Sequence, residues 1–167
     1  MKKMLFALSG HLPCRLIKVE GQPYLERYYV GSLFGFTAFL HRFIAADGDR
    51  EVHDHPWRIA MSIVLSGSYR EEWVRHINLL DQAGWTAKMR HVRWFNWIPG
   101  HRFHRIADAE PETWTLFIHG KRTKGWGFLN HHDNVVTYHQ PRDLTEAGDW
   151  HKTSSSGRDS DRVPMPR

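Results

Sequence analysis

The sequence predicts an all-β domain, an antiparallel sandwich or jelly roll. Short runs rich in β-branched and aromatic residues recur along the chain, turn-forming breaks separate them at near-regular spacing, and no segment carries a convincing amphipathic helix. With 167 residues, 41% of them hydrophobic and 13% aromatic, the chain holds enough apolar side chain for one well-filled core and is too short for two comfortable ones. The expected division is a lead-in segment over 1–24, a β-barrel domain over 25–140 and a polar, flexible tail over 141–167.

Ile17 and Val19 alternate between Pro13 and Pro23, the pattern of a lead-in or edge strand. Residues 28–30 are strand-like, Gly31-Ser32 breaks them, and 34–44 reads as a strand interrupted only by Gly35. In it Thr37, Phe39, His41 and Phe43 share one face, and Ala38, Leu40, Arg42 and Ile44 the other. A turn at 46–50, with Asp47-Gly48 at its centre, delivers the chain into His53. After Pro56, residues 59–65 are apolar on both faces, as expected between two layers; Gly67 ends that strand and 69–74 continues as a more polar one. A turn at 78–84 leads to alternation over 85–97, with Arg93, Phe95 and Trp97 on one face and Trp94 and Asn96 on the other. Pro99-Gly100 turns the chain into the strand that carries His104, 108–112 is a polar loop, and 113–118 is a buried strand. A turn at 131–134 and a strand at 135–138 close the domain near residue 140.

Thirteen histidines and eight tryptophans exceed ordinary usage and lean toward metal chemistry or an aromatic-lined pocket. Cys14 is the sole cysteine, so no intrachain disulfide forms. Met1-Lys2-Lys3 and the apolar residues after it imitate a signal peptide, but the run is too short and no cleavage site follows; a cytoplasmic location is expected. No stretch is long enough to span a bilayer, so no membrane partner is expected. A net charge of +5 and a pI near 9.6 allow weak attraction to polyanions. The basic residues are scattered, with no run of five or more cations, and no specific nucleic-acid binding is expected. Cys14 lies far from the motifs, no Gly-x-Ser-x-Gly elbow occurs, and the phosphate-loop and dinucleotide fingerprints are absent.

The chemistry concentrates in Glu51-Val52-His53-Asp54-His55-Pro56-Trp57 and Ile98-Pro99-Gly100-His101-Arg102-Phe103-His104. In an extended chain side chains two apart share a face, so His53 and His55 present two imidazoles to one point while Asp54 turns away. His104 is the candidate third ligand, and three imidazoles leave coordination positions open for water, substrate or dioxygen. His101, three residues before His104, belongs at the mouth or outside; Glu71 and Glu72 lie too far along to coordinate without bending back; His131, His132 and Asp133 read as a solvated loop. Arg42, Arg58, Arg93 and Arg102 match carboxylates or phosphates, although most strand arginines of a basic protein are solvated.

These two stretches resemble the two motifs of the cupin superfamily. The first motif runs His-x-His, four residues, a Glu, then six residues to a Gly; here His53-x-His55 is followed at those spacings by Ala60 and Gly67. The second has a Pro and, five residues on, a ligand His, matching Pro99 and His104, with the motif Gly displaced to Gly100. A closer resemblance, over about residues 35–130, is to small single-domain cupin-like proteins from phage and bacterial genomes. It rests on Leu40-His41-Arg42-Phe43, the His-Asp-His-Pro-Trp block, Leu65 to Tyr69, Pro99 to Ile106, Trp114-Thr115-Leu116 and Trp126-Gly127-Phe128. The resemblance implies a cupin-like antiparallel jelly roll, with Ala60 in the glutamate's place leaving a ligand set like the three-His iron sites of thiol dioxygenases.

The functional expectation is one divalent transition metal held by His53, His55 and His104, Fe(II) favoured and Zn, Ni, Mn or Cu also accommodated. The protein is then a metal-dependent dioxygenase acting on a small molecule, an anionic one favoured because the ligand set is neutral. His41 is the candidate for proton transfer, and Trp57 and Trp97 for keeping the pocket dry. The competing class is a small-molecule binding or sensing module whose metal is structural or absent. A homodimer is compatible with either.

Overall fold

The computed structural model describes residues 1–19, 21–45, 51–77, 84–132, 135–139 and 149–166. Helix α1 (Lys2–Ser9) is followed by strands β1 (Cys14–Val19), β2 (Gln22–Leu33), β3 (Phe36–Phe43), β4 (Val52–Asp54), β5 (Ile59–Ser66), β6 (Tyr69–Ile77), β7 (Trp85–Val92), β8 (Phe95–Pro99), β9 (His104–Ala109), β10 (Thr113–His119), β11 (Gly127–His132) and β12 (Val135–His139). Single 3-10 turns follow at Trp150–Lys152 and Gly157–Asp159. No helix among the described residues is long and apolar enough to cross a membrane.

The strands form two six-stranded antiparallel sheets, β1-β2-β3-β10-β5-β8 and β12-β11-β4-β9-β6-β7. The pairing has a simple rule: β6 pairs with β7, β5 with β8, β4 with β9 and β3 with β10. One long hairpin thus folds over itself so that successive rungs fall alternately in one sheet and the other, which is the jelly-roll arrangement. β1 and β2 widen one sheet, β11 and β12 the other.

Two apolar clusters fill the space between the sheets. One gathers Leu25, Phe43, Val64, Tyr69, Val92 and Ala109; the other Phe39, Trp57, Ala60, Ile98, Phe117 and Trp126. The alternation over 37–43 is as expected, with Phe39, His41 and Phe43 facing inward. The opposite face is buried too, because α1 lays Leu5 on Tyr28, Leu40 and Trp114.

Several local expectations need correction. In the 1–24 segment the edge strand expected around Ile17 and Val19 is β1, but 2–9 form a helix and the boundary at 24 falls inside β2. The break expected at Gly31-Ser32 is a β-bulge near Val30, and the chain reverses at Phe34-Gly35, both at positive φ (51° and 82°). The single alternating run over 85–97 is two strands, β7 and β8, parted at Arg93-Trp94. The turn expected at 46–50, residues 78–83 of the one expected at 78–84, residues 133–134 of the third, and 141–148 of the tail lie outside the described residues.

The rest of the tail, 149–166, is a strap on the domain. Trp150 joins the inner core, Cys14 N–H donates to Ser155 O at 2.9 Å, and Gly157 packs so closely that a Cβ there would lie 2.5 Å from Ser9 O. Arg42, expected among solvated arginines, is fully buried beneath the strap. Its guanidinium donates twice to Glu112 (2.8 and 2.6 Å), to Glu26 at 3.1 Å and to the carbonyl of Val163 at 2.6 Å. Glu26 in turn accepts Val163 N–H at 2.6 Å and Tyr28 Oη–H at 2.5 Å. Burial, then the Glu26 carboxylate, pushes the Tyr28 phenol well above its ordinary value, so it stays a donor.

Replacing Arg42 by Met should leave two buried carboxylates uncompensated, cost about 3–5 kcal/mol in urea unfolding, and open 149–166 to limited proteolysis. A variant within about 0.5 kcal/mol of the parent would show that the cluster does not hold the strap.

Candidate metal centre

β4 is only three residues long, Val52–Asp54, yet it sets the site. Its inward residue His53 lies directly opposite His104 of β9 in the antiparallel register, and residues so paired present side chains to the same face. His55, two positions on, adds the third ring. Gly100 permits the approach of the two stretches, because a Cβ there would meet Trp57 O at 1.8 Å.

The three imidazoles are buried, each with one ligand nitrogen within 4.8 Å of the others. His55 Nε2 and His104 Nε2 are 2.7 Å apart. His53 Nδ1 lies 3.0 Å from the carbonyl of Glu51 and His104 Nδ1 lies 2.6 Å from Glu71 Oε1. Oxygens of those kinds only accept, so both Nδ1 atoms carry the proton and both Nε2 atoms keep a lone pair. Two of the rings are thereby set in the tautomer a metal ion takes, and the all-nitrogen donor set suits a divalent transition metal.

Asp54 turns away as expected. Its carboxylate accepts Gly127 N–H at 2.9 Å and the ammonium of Lys124, and burial holds its carboxyl above the ordinary range against those donors. Ala60 is 1% exposed and brings no carboxylate. A glutamate does arrive, by another route. Glu71, on β6 beside β9, stands behind His104 and also accepts Asn96 Nδ2–H at 3.0 Å, with Arg90 at 3.5 Å. Burial opposes its charge, but the His104 contact, Asn96 and Arg90 outweigh it and hold the carboxyl below its ordinary value. Glu71 therefore orients a ring without needing to bend back and coordinate. Beside it, burial and the charge of Glu71 push the Tyr69 phenol up to about 12.

The rings face a cavity of about 70 Å³. His41 lines it, stacked on Phe117 at 5.2 Å, and Arg27 Nε donates to His41 Nε2 at 3.2 Å. Both are buried, and they sit opposite each other in the β2·β3 register. Trp57 closes the cavity together with Trp126, whereas Trp97 is 45% exposed and does not line it. His101 is exposed, as expected. The side chains of His131 and His132, and all of Asp133, lie outside the described residues.

Arg27 went unnoticed in the sequence, Trp126 entered only through the resemblance, and Glu71 was set aside as too far along the chain. Glu71 had a signal, since it shares the inward face of β6 with the core residue Tyr69. Arg27 becomes legible only once the hairpin is centred on Phe34-Gly35 with its one-residue bulge, which sets Arg27 against His41.

No protein-family model matches the chain, and no curated protein matches it in sequence. Among solved structures it is similar to a variant of oxalate decarboxylase from Bacillus subtilis, at 18% identity and TM-score 0.49, over 68% of this chain and 28% of that one. It is similar to an Fe(II) form of HppE at 12% identity and TM-score 0.49, over 67% and 57%. KdgF from Halomonas sp. aligns at 16% identity and TM-score 0.45, over 65% and 87%. Likenesses this distant carry no statement about activity, and the jelly roll stands on the strand pairing itself.

Replacing Glu71 by Gln removes the charge behind His104 while keeping its volume. Zn(II) affinity, measured by competition with a chelating dye, should fall about 10- to 100-fold. Unchanged affinity would mean that Glu71 does not act through His104.

Proposed function

We propose that the protein binds one divalent transition metal through His53, His55 and His104, with Fe(II) as the working ion, and acts as a dioxygenase on a small anionic substrate. The observation that carries this is the convergence of three buried imidazole nitrogens within 4.8 Å, the His104 ring oriented from behind by Glu71. When bound, the metal supplies a Lewis acid and, as Fe(II), a reductant for dioxygen.

The chain's own residues supply the rest. The three rings are neutral donors, so nothing in the ligand set would offset the charge of a divalent ion, and an anionic group is its natural counterpart. Trp57, Phe117 and Trp126 exclude water and strengthen those interactions. His41 enters as a positioning residue: its Nε2 accepts from Arg27, which places the neutral ring's proton on Nδ1. The proton transfer expected of it from the sequence is the alternative that the His41→Gln variant below separates.

Two measurements test the proposal. Protein purified without an affinity tag should carry close to one transition-metal ion per chain by elemental analysis, and the His53→Ala, His104→Ala double variant should lose more than half of it; equal retention would refute the site. Iron-loaded protein should consume oxygen with a small anionic substrate, and no uptake across thiols, diketones and phenols would leave the binding or sensing module.

His41→Gln preserves an acceptor for Arg27 and removes the titrating ring. Activity should stay within about threefold with an unchanged pH profile, whereas a loss of about tenfold or more, roughly 1.4 kcal/mol of barrier, would restore the proton-transfer role.

A further inference from the structure

A second cavity, of about 340 Å³, lies against the first, and Trp57 and Trp126 line both. Its volume falls at the low end of the roughly 300–1,000 Å³ that small-molecule sites occupy, room for a molecule of one or two rings. Aromatic side chains dominate the walls, several held in place by stacking on one another. His151 of the C-terminal strap lies on Tyr29 at 3.7 Å and 13°, and His119 lies on Trp57 at 3.9 Å and 19°. Trp150 closes against Phe39 at 6.0 Å.

One side of the rim is cationic. Lys121 and Arg122 line the cavity and are exposed, and no carboxylate stands among the lining residues described. The loop that carries them is fixed to the histidine stretch: Thr123 and Lys124 N–H both donate to Pro56 O, at 2.8 and 3.2 Å, and Arg122 pairs with Trp57 as an isolated antiparallel bridge. The Lys121 stem lies against Gly35, whose missing side chain makes the space. Aromatic faces within and two cations at the edge, without a competing acid, are complementary to a flat ring that carries negative charge.

We propose that this outer cavity is a binding site for a planar aromatic carboxylate of one or two rings. The ring sits among the aromatic walls, and the carboxylate faces Lys121 and Arg122. As the substrate class of the three-histidine centre this rests on the function proposed above; as a binding site it does not. The shared indoles of Trp57 and Trp126 place the ligand next to the inner cavity and make tryptophan fluorescence its reporter.

The test is a titration of the full-length, metal-free protein, followed by fluorescence and calorimetry. Benzoate and indole-3-carboxylate are the ligands. Cyclohexanecarboxylate, with the charge but no π-face, and benzyl alcohol, with the ring but no charge, are the controls. Both aromatic acids should bind at least about tenfold more tightly than either control. The Lys121→Ala, Arg122→Ala variant should weaken benzoate at least about fivefold with Tm unchanged, and Lys121→Glu should weaken it further. The His53→Ala, His104→Ala variant should bind benzoate as the parent does, so that failure of the metal assignment and failure of this site are separate results. Aromatic acids binding no better than the controls, indifference to the rim charges, or loss of binding with the inner histidines would each overturn the proposal.

Discussion

The pairing of His53 with His104 across β4 and β9 is the constraint on which the site depends. Residues opposite each other in an antiparallel pair are held a few ångströms apart by the ladder, so neither ring can drift from the other without breaking the sheet. The third ring follows from strand alternation, since His55 is two residues from His53. Two of the three donors therefore sit on paired strands of the sandwich, and His55 follows one residue beyond the end of β4. The close contact of Gly100 with the Trp57 carbonyl belongs to the same arrangement, because it lets the turn after β8 tuck beneath the first histidine stretch.

Charge is arranged in layers around those rings. Nearest the cavity the donors are neutral. The carboxylate that would neutralise an ion there is displaced by one shell, to Glu71 behind His104, where Asn96 and Arg90 keep it ionised despite its burial. On the cavity wall Arg27 donates to His41.

The outer face of the first sheet has its own logic. Arg42 sits on the strand position next to His41, facing away from the cavity, and its buried guanidinium ties Glu26 and Glu112 to the backbone of Val163. That tie holds the far end of the strap whose near end supplies Trp150 and His151 to the outer cavity. One face of β3 thus serves the site while the other secures the segment that helps to enclose the chamber beside it.

How much of this the sequence determines by itself follows from which forces act locally. Strand alternation is a property of the backbone, so the inward set Phe39, His41 and Phe43, the paired presentation of His53 and His55, and the outward turn of Asp54 were legible residue by residue. The all-β class followed from the same pattern, and His104 was picked out because its spacing after Pro99 resembles the second cupin motif. What the tertiary structure alone decided were the relations between strands. The hairpin register across Phe34-Gly35 set Arg27 on His41, and the β6·β9 ladder put Glu71 behind His104 where linear spacing had set it aside. Composition misjudged 149–166 for a related reason: a polar segment looks solvated until a buried ion such as Arg42 supplies the partners its backbone needs. Pairing over long sequence separations, between Arg42 and Val163 or His53 and His104, leaves no mark in either segment taken alone, because the energy belongs to the contact.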